Sequence, residues 1–92
     1  MSSNTAKRKF SAFELIQGKT YRVIADFVDY DGLLHKIGES WSFVGHDFLP
    51  YDDGLTIYIV RDGKKSALRM QASPESQGAI VGAFSDFVEE SF

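Results

Sequence analysis

The step Asp62-Gly63 constrains this chain more than any other feature, because it sits between two runs with alternating apolar side chains. Asp-Gly tolerates positive φ at both central positions of a two-residue type I′ turn, and that turn has the twist of a β-hairpin. With the turn fixed there, Leu55 falls opposite Met70, Ile57 opposite Leu68 and Ile59 opposite Ser66. The other face then pairs Thr56 with Arg69, Tyr58 with Ala67 and Val60 with Lys65. A slip of one residue would send the apolar set to the wrong face, so turn and pattern specify one register for residues 55–71.

Around this hairpin the chain offers further β-signals. Tyr21, Val23, Ala25 and Phe27 alternate through 19–28, with Ile24 and Val28 adding apolar character to the other face, so a strand buried on both sides is expected. Asp29-Tyr30-Asp31-Gly32 supplies turn chemistry, a short segment covers 33–37, and a strand follows over 40–46 with Trp41 and Phe43 inward. Residues 48–54 read as a loop containing Pro50 and closed by Gly54. Residues 1–9 read as a polar tail, leaving one domain over 10–92. Ser11 and Glu14 have capping-box spacing, which predicts a one- or two-turn helix ending at Gly18. Ser73-Pro74 opens an amphipathic C-terminal helix carrying Ile80, Val81, Phe84, Phe87 and Val88 on one stripe. Its acidic end, Glu89-Glu90, opposes the helix dipole. Gly78 and Gly82 read as small residues that let this helix approach the sheet.

The order Ala25-Asp-Phe-Val-Asp-Tyr-Asp-Gly32, then Gly38-Glu39-Ser40-Trp41-Ser42-Phe43, then the Asp62-Gly63 turn resembles an SH3-type barrel over residues 19–71. That resemblance implies an α+β, mainly β domain: a small antiparallel barrel or curled sheet, here with a short N-terminal helix and an amphipathic C-terminal one. The Trp pair of the SH3 peptide groove is missing and a helix stands where the last strand would be, so binding of Pro-rich peptides is not implied. The whole chain also resembles small uncharacterised bacterial domains with a Tyr21-Arg22-Val23 strand, a Gly38-Glu39-x-Trp41 step and a Pro50-Tyr-Asp-Asp-Gly54 loop. That family is a domain of unknown function.

Composition narrows function mainly by exclusion. With no Cys there is neither a disulfide framework nor a thiolate site. From Phe10 onward seven basic residues face thirteen acidic ones, a poor match to nucleic-acid binding, which draws on Lys and Arg. No apolar run reaches bilayer length and the start has no signal-like stretch, so neither a membrane partner nor secretion is expected, and a cytoplasmic location is. Asp29-x-Asp31-Gly32 resembles the opening of a calcium loop but lacks the remaining ligands, and no cofactor is expected. What remains is an acidic, aromatic loop set. Tyr30, Glu39, Tyr51, Asp52 and Asp53 are the candidate binding residues of a non-enzymatic domain that takes a protein or peptide, one form being an antidote or immunity-like protein. The alternative is a small metal-assisted hydrolase or ligand-binding enzyme using His35, His46 and Asp47, although those residues lack a ligand-type spacing. A homodimer would add buried surface to so small a domain.

Overall fold

A computed structural model of the chain describes residues 9–91. The tail expected over 1–9 therefore lies, Lys9 apart, outside the described residues. The strands are β1 (Thr20–Val23), β2 (Phe27–Val28), β3 (Leu34–His35), β4 (Ser40–Leu49), β5 (Gly54–Arg61), β6 (Lys64–Gln71) and β7 (Val88–Ser91). One short helix, α1 (Gly78–Gly82), and two 3₁₀ turns, Ala12–Glu14 and Phe84–Asp86, complete it.

Asp62 and Gly63 take φ of 53° and 77°, both positive as a type I′ turn requires. The β5–β6 register is the one the turn dictates: Leu55 meets Met70, Ile57 meets Leu68 and Ile59 meets Ser66. β4 extends this hairpin, with an irregularity between Phe43 and Gly45 that lifts Val44 out of the pairing. β4 runs on through Phe48 and Leu49, which the sequence assigned to a loop. Ser11 caps the first turn with both capping-box bonds, and Gly18 ends the segment at φ 88°.

Three expectations are corrected. The long strand over 19–28 is broken, because the amides of Ile24 and Ala25 both turn to the carbonyl of Phe87. Phe27 and Val28 then leave the main sheet and pair with β3 in a separate two-stranded ribbon. The C-terminal amphipathic helix is also absent: five residues of α-helix and a 3₁₀ turn give way to β7, paired antiparallel to β1 with Val88 opposite Val23 and Glu89 opposite Arg22. Two acidic residues at a helix C-terminus oppose its dipole. Opposite β1 they instead meet cations, Glu89 pairing with Arg22 and Glu90 with Lys19 at 3.6 Å. The barrel is not closed either. The main sheet is open and antiparallel, in the order β6-β5-β4-β1-β7, with β6 and β7 as its edges.

The apolar residues expected on the helix stripe still reach the interior, since Val81, Phe84 and Val88 are buried and Ile80 and Phe87 pack against them. They join Tyr21, Val23, Trp41, Phe43, Leu55, Ile57, Leu68 and Met70 from the inner face of the sheet. Among the described residues, the indole N–H of Trp41 is the one buried side-chain polar atom without a hydrogen-bond partner. A Cβ at Gly78 would lie 2.8 Å from the carbonyl oxygen of Ser73 and 2.9 Å from that of Ala72, so this glycine serves its own preceding turn and not the sheet. Nothing lies within 4 Å of a Cβ at Gly82. No helix among the described residues is long and apolar enough to cross a membrane.

Candidate functional site

The β2–β3 ribbon is organised by one carboxylate. Asp29 Oδ1 accepts from the backbone amides of Asp31 at 2.9 Å and Leu33 at 3.0 Å, closing the turn through its own side chain. Its other oxygen, Oδ2, lies 2.8 Å from His35 Nε2. The opposite ring nitrogen, Nδ1, lies 2.6 Å from Glu39 Oε2. Glu39 Oε1 in turn accepts from the guanidinium of Arg61 at 2.9 Å, so the chain of contacts runs from the ribbon to the end of β5. The imidazole is thus held between two carboxylates, one at each ring nitrogen, and the Arg61 guanidinium backs the second of them. The His35 ring also stacks on Phe27 at 4.9 Å and 20°.

The network anchors the inward face of the ribbon, where Phe27 and His35 are paired and buried. The outward face consequently carries the other pair, Val28 and Leu34, both exposed. Leu33 and Ile37 are exposed beside them, at 62% and 66%. Five large apolar side chains, counting Tyr30, thus meet solvent within ten residues.

The ribbon is tied to the main sheet at its tip as well, where the Tyr30 amide donates to the Arg69 carbonyl on β6 at 2.8 Å. Tyr30 then shares a cleft of about 270 Å³ with Leu49, Asp52, Thr56 and Arg69. Arg69 also reaches Asp31 at 3.4 Å. Of the five binding residues expected from sequence, Tyr30 and Asp52 are brought together here. Tyr51 stands on the same β4–β5 turn as Asp52 and is 84% exposed. Asp53 shapes that turn, with φ 58° and a carbonyl that accepts from Ala72. Glu39 is elsewhere, its carboxylate committed to His35 and Arg61.

The residues of the metal-assisted reading separate. His35 is held between Asp29 and Glu39, whereas His46 lies against the rings of Phe13 and Phe43. Asp47 accepts from the Tyr58 hydroxyl at 2.8 Å on the solvent face of the sheet. That hydrogen bond holds the Tyr58 phenol above its ordinary value of 10.0, with some desolvation and the Asp47 charge adding to it. Among the described residues no group of three or more His, Asp or Glu side chains is arranged to hold a metal.

Sequence reasoning missed the Asp29–His35–Glu39 relay and the exposed face it creates. The turn Asp29–Gly32, flanked by Phe27-Val28 and Leu34-His35, was the available signal for a second hairpin. His35 and Glu39 also stand four apart, but that spacing marks neighbours only on a helix.

Comparison with known proteins places this architecture. A solved structure described as an integron cassette protein from the mobile metagenome of Vibrio cholerae superposes with a TM-score of 0.82 at 25% identity, covering 90% of this chain and 93% of that one. No curated protein sequence matches the chain significantly. A family model described as a domain of unknown function, DUF3601, matches residues 2–90. The chain belongs to the DUF3601 family.

Proposed function

We propose that the chain is a non-enzymatic interaction domain that takes an apolar, basic segment of a partner protein on the outward face of the β2–β3 ribbon. The carrying observation is the exposed pair Val28 and Leu34 on a ribbon whose other face, Phe27 and His35, is buried, with Tyr30, Leu33 and Ile37 also exposed within the same ten residues. Exposed apolar side chains gathered on one element are characteristic of interaction sites. The neighbouring cleft adds Tyr30 and Asp52, and Tyr51 stands exposed at the same turn. Tyrosines of this kind act as anchors in interfaces. The chain's net charge of −3 favours a basic partner. In this reading Asp53 shapes the turn, and Glu39 supports the site without touching the partner.

A bacterial, cytoplasmic protein is the fitting context, and an antidote-like role in which an acidic face blocks a basic partner is its most concrete form. The structural neighbour's origin in a bacterial mobile metagenome supports the bacterial part.

Selection of peptides from a displayed random library against the full chain tests the reading. Enriched peptides should be basic and apolar, and their binding should fall about tenfold or more in Leu34→Ser and in Tyr30→Ala. Failure to enrich any peptide, or enrichment of peptides that bind both variants like wild type, contradicts it. Light scattering at micromolar concentration separates this from self-association, in which the same face would be covered by a second copy.

A further inference from the structure

β6 forms one edge of the main sheet, and the direction of its main-chain groups alternates along it. The two-residue turn makes Arg61 and Lys64 a hydrogen-bonded pair, so Lys64, Ser66, Leu68 and Met70 spend their amides and carbonyls on β5. Lys65, Ala67, Arg69 and Gln71 turn theirs outward. The far half of this outward row is occupied. The Arg69 carbonyl accepts from the Tyr30 amide at 2.8 Å, the Gln71 amide donates to Gln77 Oε1 at 2.8 Å, and the Gln71 carbonyl accepts from the Gln77 amide at 3.0 Å. The near half is open: the main-chain groups of Lys65 and Ala67 meet no partner among the described residues. Lys64, Lys65, Ser66 and Ala67 are all exposed.

An open edge is a template for another strand, and its side chains decide which strand fits. β6 carries Lys64, Lys65 and Arg69 and no acidic residue, in a chain where acidic residues outnumber basic ones. Arg69 is paired with Asp31, and Arg61, opposite Lys64, is held by Glu39. Neither Lys64 nor Lys65 has an ion-pair partner among the described residues. By alternation Lys65 and Ala67 lie on the face away from the core, and Lys64 and Ser66 on the other. Tyr58, opposite Ala67, is itself exposed. A second copy of β6 is a poor occupant. Paired antiparallel with Ala67 against Ala67 it sets Lys65 opposite Arg69, and with Lys65 against Lys65 it sets two ammonium groups side by side.

We propose that the open half of the β6 edge receives an acidic, extended segment of a partner protein as an additional antiparallel strand. Main-chain bonds to Lys65 and Ala67 hold it in register. Two successive carboxylates then fall on opposite faces, one beside Lys65 and the next beside Lys64, and form charge-assisted contacts with them. An apolar residue opposite Ala67 lies toward the exposed Tyr58 ring. The Tyr30 contact with Arg69 stops the added strand at its other end. This edge uses neither Val28 nor Leu34, so it and the outward face of the ribbon can fail separately.

Amide chemical shifts and hydrogen exchange of the full chain, titrated with three capped peptides, test it. Thr-Val-Thr-Glu-Glu has the expected order of side chains, Thr-Val-Thr-Lys-Lys reverses the charge, and a third peptide repeats the acidic one with Val and the first Glu N-methylated. The acidic peptide should shift the amides of Lys65 and Ala67 saturably and slow their exchange. The basic and the N-methylated peptides should leave both unchanged. In the double variant Lys64→Gln/Lys65→Gln the affinity should fall about tenfold, the scale of lost charge-assisted contacts. Both side chains are exposed, so an unchanged thermal midpoint shows that the fold persists. No saturable shift with the acidic peptide, or equal binding of the N-methylated one, overturns the proposal. Unaltered or tighter binding in the folded double variant would assign the lysines to guarding the edge and also overturns it. So does protection of Lys65 and Ala67 that grows with protein concentration in the absence of peptide, because the edge would then belong to a second copy.

Discussion

Two hairpins of this small protein reach definite structures by different physics. The β5–β6 hairpin is local: a positive-φ turn and strict alternation set its register, and Leu55, Ile57, Leu68 and Met70 bury one face. The β2–β3 ribbon has only two residues per strand, far below what makes an isolated hairpin stable. It holds because Asp29, His35, Glu39 and Arg61 bind it to the end of β5, and because Phe27 packs against Phe84 at 5.5 Å and Phe87 at 5.8 Å. Apolar packing alone can support a long hairpin, whereas a short one that also displays apolar groups needs polar anchoring from beneath. The anchoring leaves Val28 and Leu34 exposed on the outer face.

The largest expected effect comes from breaking the anchor. His35→Ala leaves two carboxylates facing each other without the imidazole, and removing one partner of a buried ionic network costs about 3–5 kcal/mol. Urea unfolding should show that loss; a cost below about 1 kcal/mol would place the ribbon's stability in packing instead. Next is Gly63→Ala, where a Cβ is forced onto φ 77° with no steric neighbour within 4 Å. A loss of about 1 kcal/mol is expected from backbone strain alone, with the register unchanged. Smaller still is the double variant Val28→Ser/Leu34→Ser, which should stay within about 0.5 kcal/mol of wild type because both side chains already face water. A large loss there would show that the outward face is part of the fold rather than free for a partner.

The smallest effect is confined to alkaline solution. The Tyr58 phenol titrates above 10.0 because it donates to Asp47. A group raised in the folded state contributes stability below its unfolded value and loses it as pH climbs through the folded one. Asp47→Asn should therefore move the phenolate absorbance transition down towards the ordinary tyrosine range and leave stability at neutral pH little changed. An unmoved transition would remove Asp47 as the cause.

The same contrast explains what the sequence made legible. Asp62-Gly63, the Ser11–Glu14 box and the inward positions of Trp41 and Phe43 follow from neighbours a few residues away, and these were readable. The break after Val23 was not, because it depends on the Phe87 carbonyl, more than sixty residues along the chain. Val88–Ser91 fits the end of an apolar helical stripe and equally a strand, and its pairing with β1, with Val88 opposite Val23 and the acidic residues beside Arg22 and Lys19, depends on tertiary placement. For the site, Tyr30 and Asp52 were legible as loop residues. Their shared cleft, and the diversion of Glu39 to His35 and Arg61, depend on tertiary placement.

Native-state hydrogen exchange on Glu39→Ala tests most directly whether the ribbon is held from beneath by the ionic network. Protection should fall selectively at Asp29, Tyr30 and Leu33, whose amides bond within the ribbon and to Arg69, while β5, lying between two strands, keeps its protection. An unchanged pattern, or an equal loss across β5 and the ribbon, would contradict the anchoring of the ribbon by Asp29, His35, Glu39 and Arg61.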